Sequence, residues 1–288
     1  MMSAPAENGD HRMFTVQSAG LTDVGRNRNN NEDAYEISPP CYMVADGMGG
    51  AAAGEIASRM AIDVISADLS GITHTSDKNV EKAALKAYRH ADDQIKQEMK
   101  KNPQYAGMGT TFVMAIQFDD RLFIANIGDS RAYIVTSSNP GKPGAVSSSV
   151  SADANAATGI MEAFDESSSG NGKRMTRLTV DHSVVMEMVE AGIIEEDDIR
   201  THPMRNRITR CLGSTGNTEP EFCWYTLKDS DTLLLCSDGL WEMIHEELML
   251  AIFKSTPDLD ELNRRLVKAA NNSGGVDNIT LVTARFSG

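Results

Sequence analysis

Residues 41–55, CYMVADGMGGAAAGE, decide how the chain reads. Tyr42, Met43, Val44 and Ala45 form a short apolar run that predicts a buried strand over 41–45. The run stops at Asp46, and glycines at 47, 49, 50 and 54 interrupt the approach to an alanine-rich helical pattern. A carboxylate is thereby set at a strand's end, where the backbone can turn sharply and little side-chain bulk obstructs a ligand. One Asp-Gly pair by itself reads as a hairpin turn. The arrangement recurs, however. Residues 124–127 run into Gly128-Asp129, residues 233–236 run into Ser237-Asp238-Gly239, and Gly274-Gly275-Val276-Asp277 leads into the strand pattern 279–282. Four carboxylates at strand ends are more than four unrelated turns.

Outward from this stretch, 14–21 and 34–37 read as strands. Ile56, Met60, Val64 and Ile65 share one face of a helix over 51–69, and Ala84, Leu85, Tyr88, Ile95 and Met99 share one face of a second over 80–100. Strands return at 110–118, 121–127 and 131–136, with links as short as Asp119-Asp120 that mark antiparallel hairpins. Further strands are expected at 175–180, 222–227, 232–237 and 278–286. Helices are expected at 183–191, closed by Gly192, and at 240–253 and 259–271. Glu195 to Asp198 starts a helical turn that His202-Pro203 ends. Strands adjacent in sequence and helices grouped in pairs predict α+β with antiparallel sheets, not alternating βαβ units. Residues 1–12 read as a loose tail and 13–288 as one domain. Residues 137–173, rich in Ser, Ala, Gly, Asn and Pro, read as a disordered insertion at a hairpin tip, in which only Ile160, Met161 and Phe164 form an apolar patch.

Composition narrows the function. A chain of 288 residues buries roughly three quarters of its unfolded surface, enough to fold without a disulfide or metal staple. A net charge of −14 argues against nucleic acid and against an anionic membrane surface, both of which need basic protein surface. Cys41, Cys211, Cys223 and Cys236 are scattered, with no C-x-x-C, as expected of buried free thiols in a reducing compartment. The first twelve residues lack a signal-peptide core, and no run approaches the ~18–20 apolar residues that span a bilayer. The expectation is a cytoplasmic protein.

Clustered carboxylates repel one another and hold protons unless cations neutralise them. All-oxygen anionic sites suit Mg²⁺ or Mn²⁺ better than Zn²⁺. Two such ions about 3.5–4 Å apart can hold a bridging water, lower its pKa and clamp a phosphoryl group. Guanidinium is the natural bidentate partner of that group, and Arg28 stands in a polar loop. Two other readings compete. Gly47-x-Gly49-x-x-Ala52, with Asp68 downstream, fits a dinucleotide-binding fingerprint. Asp46 would then face a pyrophosphate, and the helix leads to another helix where a parallel strand is required. A cysteine-dependent phosphatase needs Cys-x5-Arg; Cys211 is followed by Asn217 instead, and no other cysteine has the Arg.

Eight motifs in order resemble one family. They are T-D-x-G-x-x-R-x-x-N-E-D (22–33), D-G-M-G-G (46–50), G-T-T (109–111), G-D-S-R (128–131), D-H-S (181–183), R-x-x-x-x-L-G (207–213), S-D-G-L-W (237–241) and G-G-x-D-N-I-T (274–280). The chain resembles the PPM family of metal-dependent serine/threonine protein phosphatases, type 2C, in its bacterial branch. The resemblance implies an α/β/β/α sandwich of two antiparallel sheets flanked by helix pairs, with the metals at one end. It implies that Asp46 bridges two Mn²⁺ or Mg²⁺ ions, that the Gly47 carbonyl ligates one, and that Asp238 and Asp277 complete the other. Asp129, with Asp238, would hold a third, weaker ion. Glu32, Asp33 and Asn278 would stand behind the ligands, Arg28 would bind phosphate, and Arg28, Asp46 and Asp238 would carry the catalysis. Residues 181–207 resemble the flap beside the site. The implied reaction is hydrolysis of phosphoserine and phosphothreonine in proteins by a metal-bridging water, with no phosphoenzyme. The implied setting is a monomer opposing a serine/threonine kinase. Two positions depart from family patterns: Met48 stands where animal members have a histidine acid, and Ala51 where bacterial members often have histidine. The expected proton donor is then a metal-bound water. A catalytically silent phosphoprotein-binding module is the alternative from another class, and the complete acidic set argues against it.

Overall fold

The structure, a computed structural model, describes residues 14–49, 53–136, 147–149 and 172–288. Strands β1 (Thr15–Asp23), β2 (Asp33–Ser38) and β3 (Cys41–Met48) open the chain, followed by helices α1 (Ala53–Leu69) and α2 (Asp77–Lys101). Then come β4 (Gly109–Thr110), β5 (Phe112–Phe118), β6 (Arg121–Ile127), β7 (Arg131–Thr136), β8 (Ser147–Ser149) and β9 (Arg174–Arg177). Helix α3 (Val184–Glu190) and a 3₁₀ stretch (Glu196–Thr201) precede β10 (Glu221–Thr226) and β11 (Thr232–Cys236). Helices α4 (Asp238–Trp241), α5 (Glu246–Ser255) and α6 (Leu259–Asn272) lead to β12 (Ile279–Ser287).

One sheet has the order β1-β12-β11-β7-β9 and the other β2-β3-β5-β6-β10-β8, with β4 paired to β3. Every pairing is antiparallel. The dinucleotide reading falls here, because the strand after α2 does not return parallel to β3.

The two-residue period of a strand builds the layers. In β3, Tyr42 and Val44 face the other sheet while Met43 and Ala45 face α1 and α2. In β11, Leu233 and Leu235 join the core between the sheets, and Leu234 and Cys236 join the core shared with α4, α5 and α6. Strands covered on both faces read as continuous apolar runs, as 42–45 and 233–236 do. Truncating one such side chain, Leu234→Ala for example, would cost about 2–5 kcal/mol. The helices are capped locally: Ser76 accepts the Asn79 amide, Ser183 the Met186 amide, and Asp258 the Glu261 amide. The resulting α/β/β/α sandwich matches the expected fold.

Several boundaries differ from expectation. Strand β3 does not stop at Ala45; Asp46 pairs with Asp33 of β2, and Gly47 and Met48 pair with Thr110 and Gly109. The strand expected at 110–118 is divided at Thr111, with β4 paired to the end of β3 and β5 to its start. The helix expected at 240–253 is two, because His245 takes extended backbone and starts α5 afresh. The expected tail and most of the 137–173 insertion lie outside the described residues. Within that insertion, Ser147–Ser149 pairs with β10, and Lys173 Nζ donates to the Phe253 carbonyl at 3.1 Å.

Candidate active site

The site lies at the edge where both sheets end. Asp46 sits on β3 of one sheet; Asp238 follows β11 and Asp277 precedes β12 in the other. The turn Gly128-Asp129-Ser130 is the crossover from β6 in one sheet to β7 in the other. A direct bond joins the sheets here, Ser237 Oγ donating to Asp33 Oδ2 at 2.8 Å. Ser237 Oγ also accepts the Thr280 amide at 3.0 Å, so one hydroxyl ties β11, β12 and β2 together.

The backbone of Asp46 is held on both sides. Its amide donates to Thr111 Oγ1 at 3.0 Å, and its carbonyl accepts from the Thr111 amide and from Thr110 Oγ1, each at 2.9 Å. The Thr111 hydroxyl is 2.7 Å from Ser130 Oγ, which links the Asp46 strand to the Asp129 turn. Gly47 must be glycine: a Cβ there would lie 2.1 Å from the Gly54 carbonyl oxygen and 2.5 Å from that of Glu32. Asp238 is the first residue of α4, and its neighbour Gly239 approaches the Asn278 carbonyl so closely that a Cβ would meet it at 2.0 Å. Asn278 is a hub. Its Oδ1 accepts the Glu32 amide at 2.8 Å, and its Nδ2 donates to the carbonyls of Val24 at 3.0 Å and Asn30 at 2.9 Å. It thereby pins the loop carrying Arg28 and Glu32 against the Asp277 loop. Asp277 Oδ1 accepts the Asn278 amide at 2.8 Å, and Oδ2 accepts from an Arg28 Nη at 2.7 Å.

The carboxylates feel one another. Burial first, then the charges of Asp33, Asp238, Asp129 and Asp277, push the Asp46 carboxyl well above its ordinary range. Asp238 is raised in the same way, by burial and then by Asp129, Glu242, Asp277 and Asp33. Both keep some contact with solvent, yet the protein around them is dense enough for burial to dominate. Asp33 is pushed up to about 6 by burial, against bonds from Thr280 and Ser237 that favour the ionised form. Asp129 is pushed up to about 7 by burial and by Asp181. Gathering ionised oxygens away from water is costly, and unpaired ones more so. Asp238 Oδ1 and Asp33 Oδ1 are buried with no hydrogen-bond partner.

No group of three or more His, Cys, Asp and Glu side chains among the described residues is arranged as a metal site. The Arg28–Asp277 ion pair takes one of the expected ligands and occupies the cation expected on phosphate. The donor set nevertheless fits hard divalent ions: it is all oxygen, burial and repulsion raise Asp46, Asp129 and Asp238, and Asp238 Oδ1 is buried without a partner.

Some supporting residues escaped the sequence reading. Arg131 is buried and bidentate on Asp181, and its guanidinium carbon lies 3.5 Å from the ring centroid of Trp241. Trp241 Nε1 in turn donates to the Asp129 carbonyl at 3.0 Å. Thr110, Thr111, Ser130, Arg131, Asp181 and Trp241 all stand in the quoted motifs. Only the fold shows what each of them touches.

The protein phosphatase 2C family model matches residues 26–271. The serine/threonine phosphatase stp of Listeria innocua is 33% identical over 267 residues, covering 91% of this chain and 92% of that protein. The serine/threonine phosphatase PstP/Ppp of Mycobacterium tuberculosis superposes with a TM-score of 0.77 at 29% identity, over 96% of this chain and 100% of the other. A structure of the PstP catalytic domain in complex with two manganese ions superposes with a TM-score of 0.75 at 26% identity, over 96% and 100% of the two chains. With its fold, its motifs and these likenesses in agreement, the chain belongs to the protein phosphatase 2C family.

Proposed function

We propose that the protein is a Mn²⁺- or Mg²⁺-dependent phosphatase of phosphoserine and phosphothreonine in proteins. The observation that carries this reading is the gathering of Asp46, Asp129, Asp238 and Asp277 from both sheets onto one edge, with burial and mutual repulsion raising Asp46 and Asp238. The names of the relatives and the two manganese ions of the PstP complex support it. In this reading Asp46, the Gly47 carbonyl, Asp238 and Asp277 hold two ions, and Asp129 with Asp238 holds a weaker third. Bound there, such ions supply Lewis-acid neutralisation of phosphoryl charge and an activated water for in-line attack.

The chain's own residues do the rest. Arg28 is exposed and carried on a loop, so its guanidinium can exchange Asp277 for a phosphoryl oxygen when substrate arrives. Asn278 and Ser237 keep the two loops and two sheets in register beneath it. Glu32 and Asp33 stand behind the ligands, Asp33 fixed by Ser237. Met48 has no proton to give, so the leaving oxygen draws its proton from water.

We further place the protein as a cytoplasmic monomer that opposes a serine/threonine kinase. The four free cysteines are consistent with a reducing compartment. No helix among the described residues is long and apolar enough to cross a membrane. The test is hydrolysis of phosphoserine and phosphothreonine peptides with Mn²⁺. Turnover that EDTA abolishes is expected, and inert preparations in Mn²⁺, or a trapped phosphorylated enzyme, would defeat the reading.

A further inference from the structure

The D-H-S motif supplies no carboxylate to the proposed ion set, yet its three side chains reach three different elements. Asp181 binds Arg131 of β7, and Ser183 caps α3 at the base of the expected flap. His182, only 4% exposed, turns to Gly128. Its amide donates to the Gly128 carbonyl at 2.9 Å, and its Nδ1 accepts the Gly128 amide at 3.1 Å. Gly128 thus has both backbone groups bonded to one residue far away in sequence. It needs them, because Gly128 stands at φ +102 and has no side chain to anchor it; a Cβ would lie 2.6 Å from the Thr111 side chain. Asp129 follows directly, so the Gly128 backbone torsions, held between the ring's bond to its amide and the His182 backbone bond to its carbonyl, set where the Asp129 carboxylate points.

The histidine is itself oriented. With Nδ1 accepting, the ring proton sits on Nε2 and is donated to Glu221 Oε1 at 3.2 Å, with Arg210 Nη1 3.3 Å from the same nitrogen. Glu221 accepts in turn from Arg210 at 3.0 Å. A carboxylate behind an imidazole fixes its tautomer and ring orientation. The chain of contacts runs Arg210, Glu221, His182, Gly128, Asp129.

We propose that His182 is a positioning residue that, through the Gly128 amide, aims the Asp129 carboxylate at the weaker of the bound divalent ions. This rests on the reading above that Asp129 ligates an ion. A buried histidine that merely fills space would make the same contacts, so the test must separate hydrogen bonding from packing. His182→Asn places Oδ1 where Nδ1 stands and keeps the acceptor for Gly128. His182→Gln places its amide near Nε2, keeps Glu221 within reach and leaves the Gly128 amide unpaired.

Calorimetric titration of Mn²⁺ into the full-length metal-stripped proteins reads the outcome. The tight class of sites should be unchanged throughout. The weak class should lose about tenfold or more in affinity in His182→Gln and stay within about twofold of the parent in His182→Asn, the size expected for residues behind a metal ligand. Because His182→Gln alters a buried ring, Glu221→Ala serves as the surface variant, with a smaller weakening of the same class expected. Equal losses in the Asn and Gln variants would mean packing alone and would overturn the proposal. So would an unchanged weak class in Gln or in the Glu221 variant, or a parent protein without a weak class. Hydrolysis of p-nitrophenyl phosphate by the same preparations separates the two ideas: full turnover with an indifferent weak class sinks only the role of His182, whereas no turnover in the parent sinks the phosphatase.

Discussion

In the proposed reading Arg28 serves two partners in turn, Asp277 and a phosphoryl oxygen. It is exposed, bonded to Asp277 at 2.7 Å, and raised in pKa first by that hydrogen bond. A charge-assisted bond contributes about 1.5–3 kcal/mol, which is roughly a ten- to hundredfold change in an equilibrium constant. Arg28→Ala should therefore raise KM for a phosphopeptide by that factor, and an unchanged KM in steady-state assays would remove Arg28 from the phosphate. Asp238 differs, because it serves two ion positions in the proposed set. Asp238→Asn should lower kcat by about a hundredfold or more, beyond what loss of a supporting partner brings, and full turnover in that variant would exclude it. The side-chain position of Gly47 carries a steric constraint: Gly47→Ala must move β3 away from α1, since its Cβ would meet Gly54 and Glu32 carbonyls. Overpacking of this kind costs about 1–3 kcal/mol, which calorimetry should record as a lowered Tm in metal-free protein.

At the scale of elements, the insertion is the clearest case. β7 and β9 are antiparallel neighbours in register, with Thr136 opposite Arg174, so the chain leaves and re-enters at adjacent points. A two-residue hairpin turn can close that gap, and shortening a loop changes closure entropy only slowly. Replacing residues 137–173 with Asn-Gly should leave Tm and Mn²⁺-dependent hydrolysis of p-nitrophenyl phosphate near those of the parent. β10 would lose its β8 neighbour but keep the full β6 pairing. An insoluble or inactive product would make the segment structural. The same elements show what a sequence can disclose. Runs such as 233–236 announce strands buried on both faces, and acidic residues at their ends announce a site, because both signals are local. That β3 extends through Met48 was not legible, since the partners that prolong it, Asp33 and Thr110, come from separate segments. Trp241 over Arg131, Asp181 on Arg131 and His182 on Gly128 were hidden for the same reason. Each joins residues dozens of positions apart, and no periodicity encodes such a pairing.

The whole molecule carries a net charge of −14, and part of that charge is concentrated where water is scarce. Asp33 and Asp129 have folded-state pKa values of about 6 and about 7, against 3.8 for an ordinary aspartate. A raised carboxyl pKa means that the fold prefers the protonated form. The associated stability is fully present below the unfolded value of 3.8 and is lost as pH climbs through about 6 to 7. In the proposed reading divalent ions act in the opposite sense, because they bind ionised Asp129 directly and their charge disfavours a proton on Asp33 behind the ligands. Metal-free protein should therefore lose stability between about pH 4 and pH 7 from these groups, while the Tm gained on adding Mn²⁺ grows over the same window. Mn²⁺ binding at pH 6 should release protons, detectable as a dependence of calorimetric heat on the ionisation enthalpy of the buffer, and the release should fade by about pH 8.5. A Tm gain that is flat with pH, together with heats indifferent to buffer, would show that the ions do not bind beside Asp33 and Asp129. A gain that rises with pH would identify neutralisation of this buried acidic edge as the link between metal binding and the stability of the sandwich.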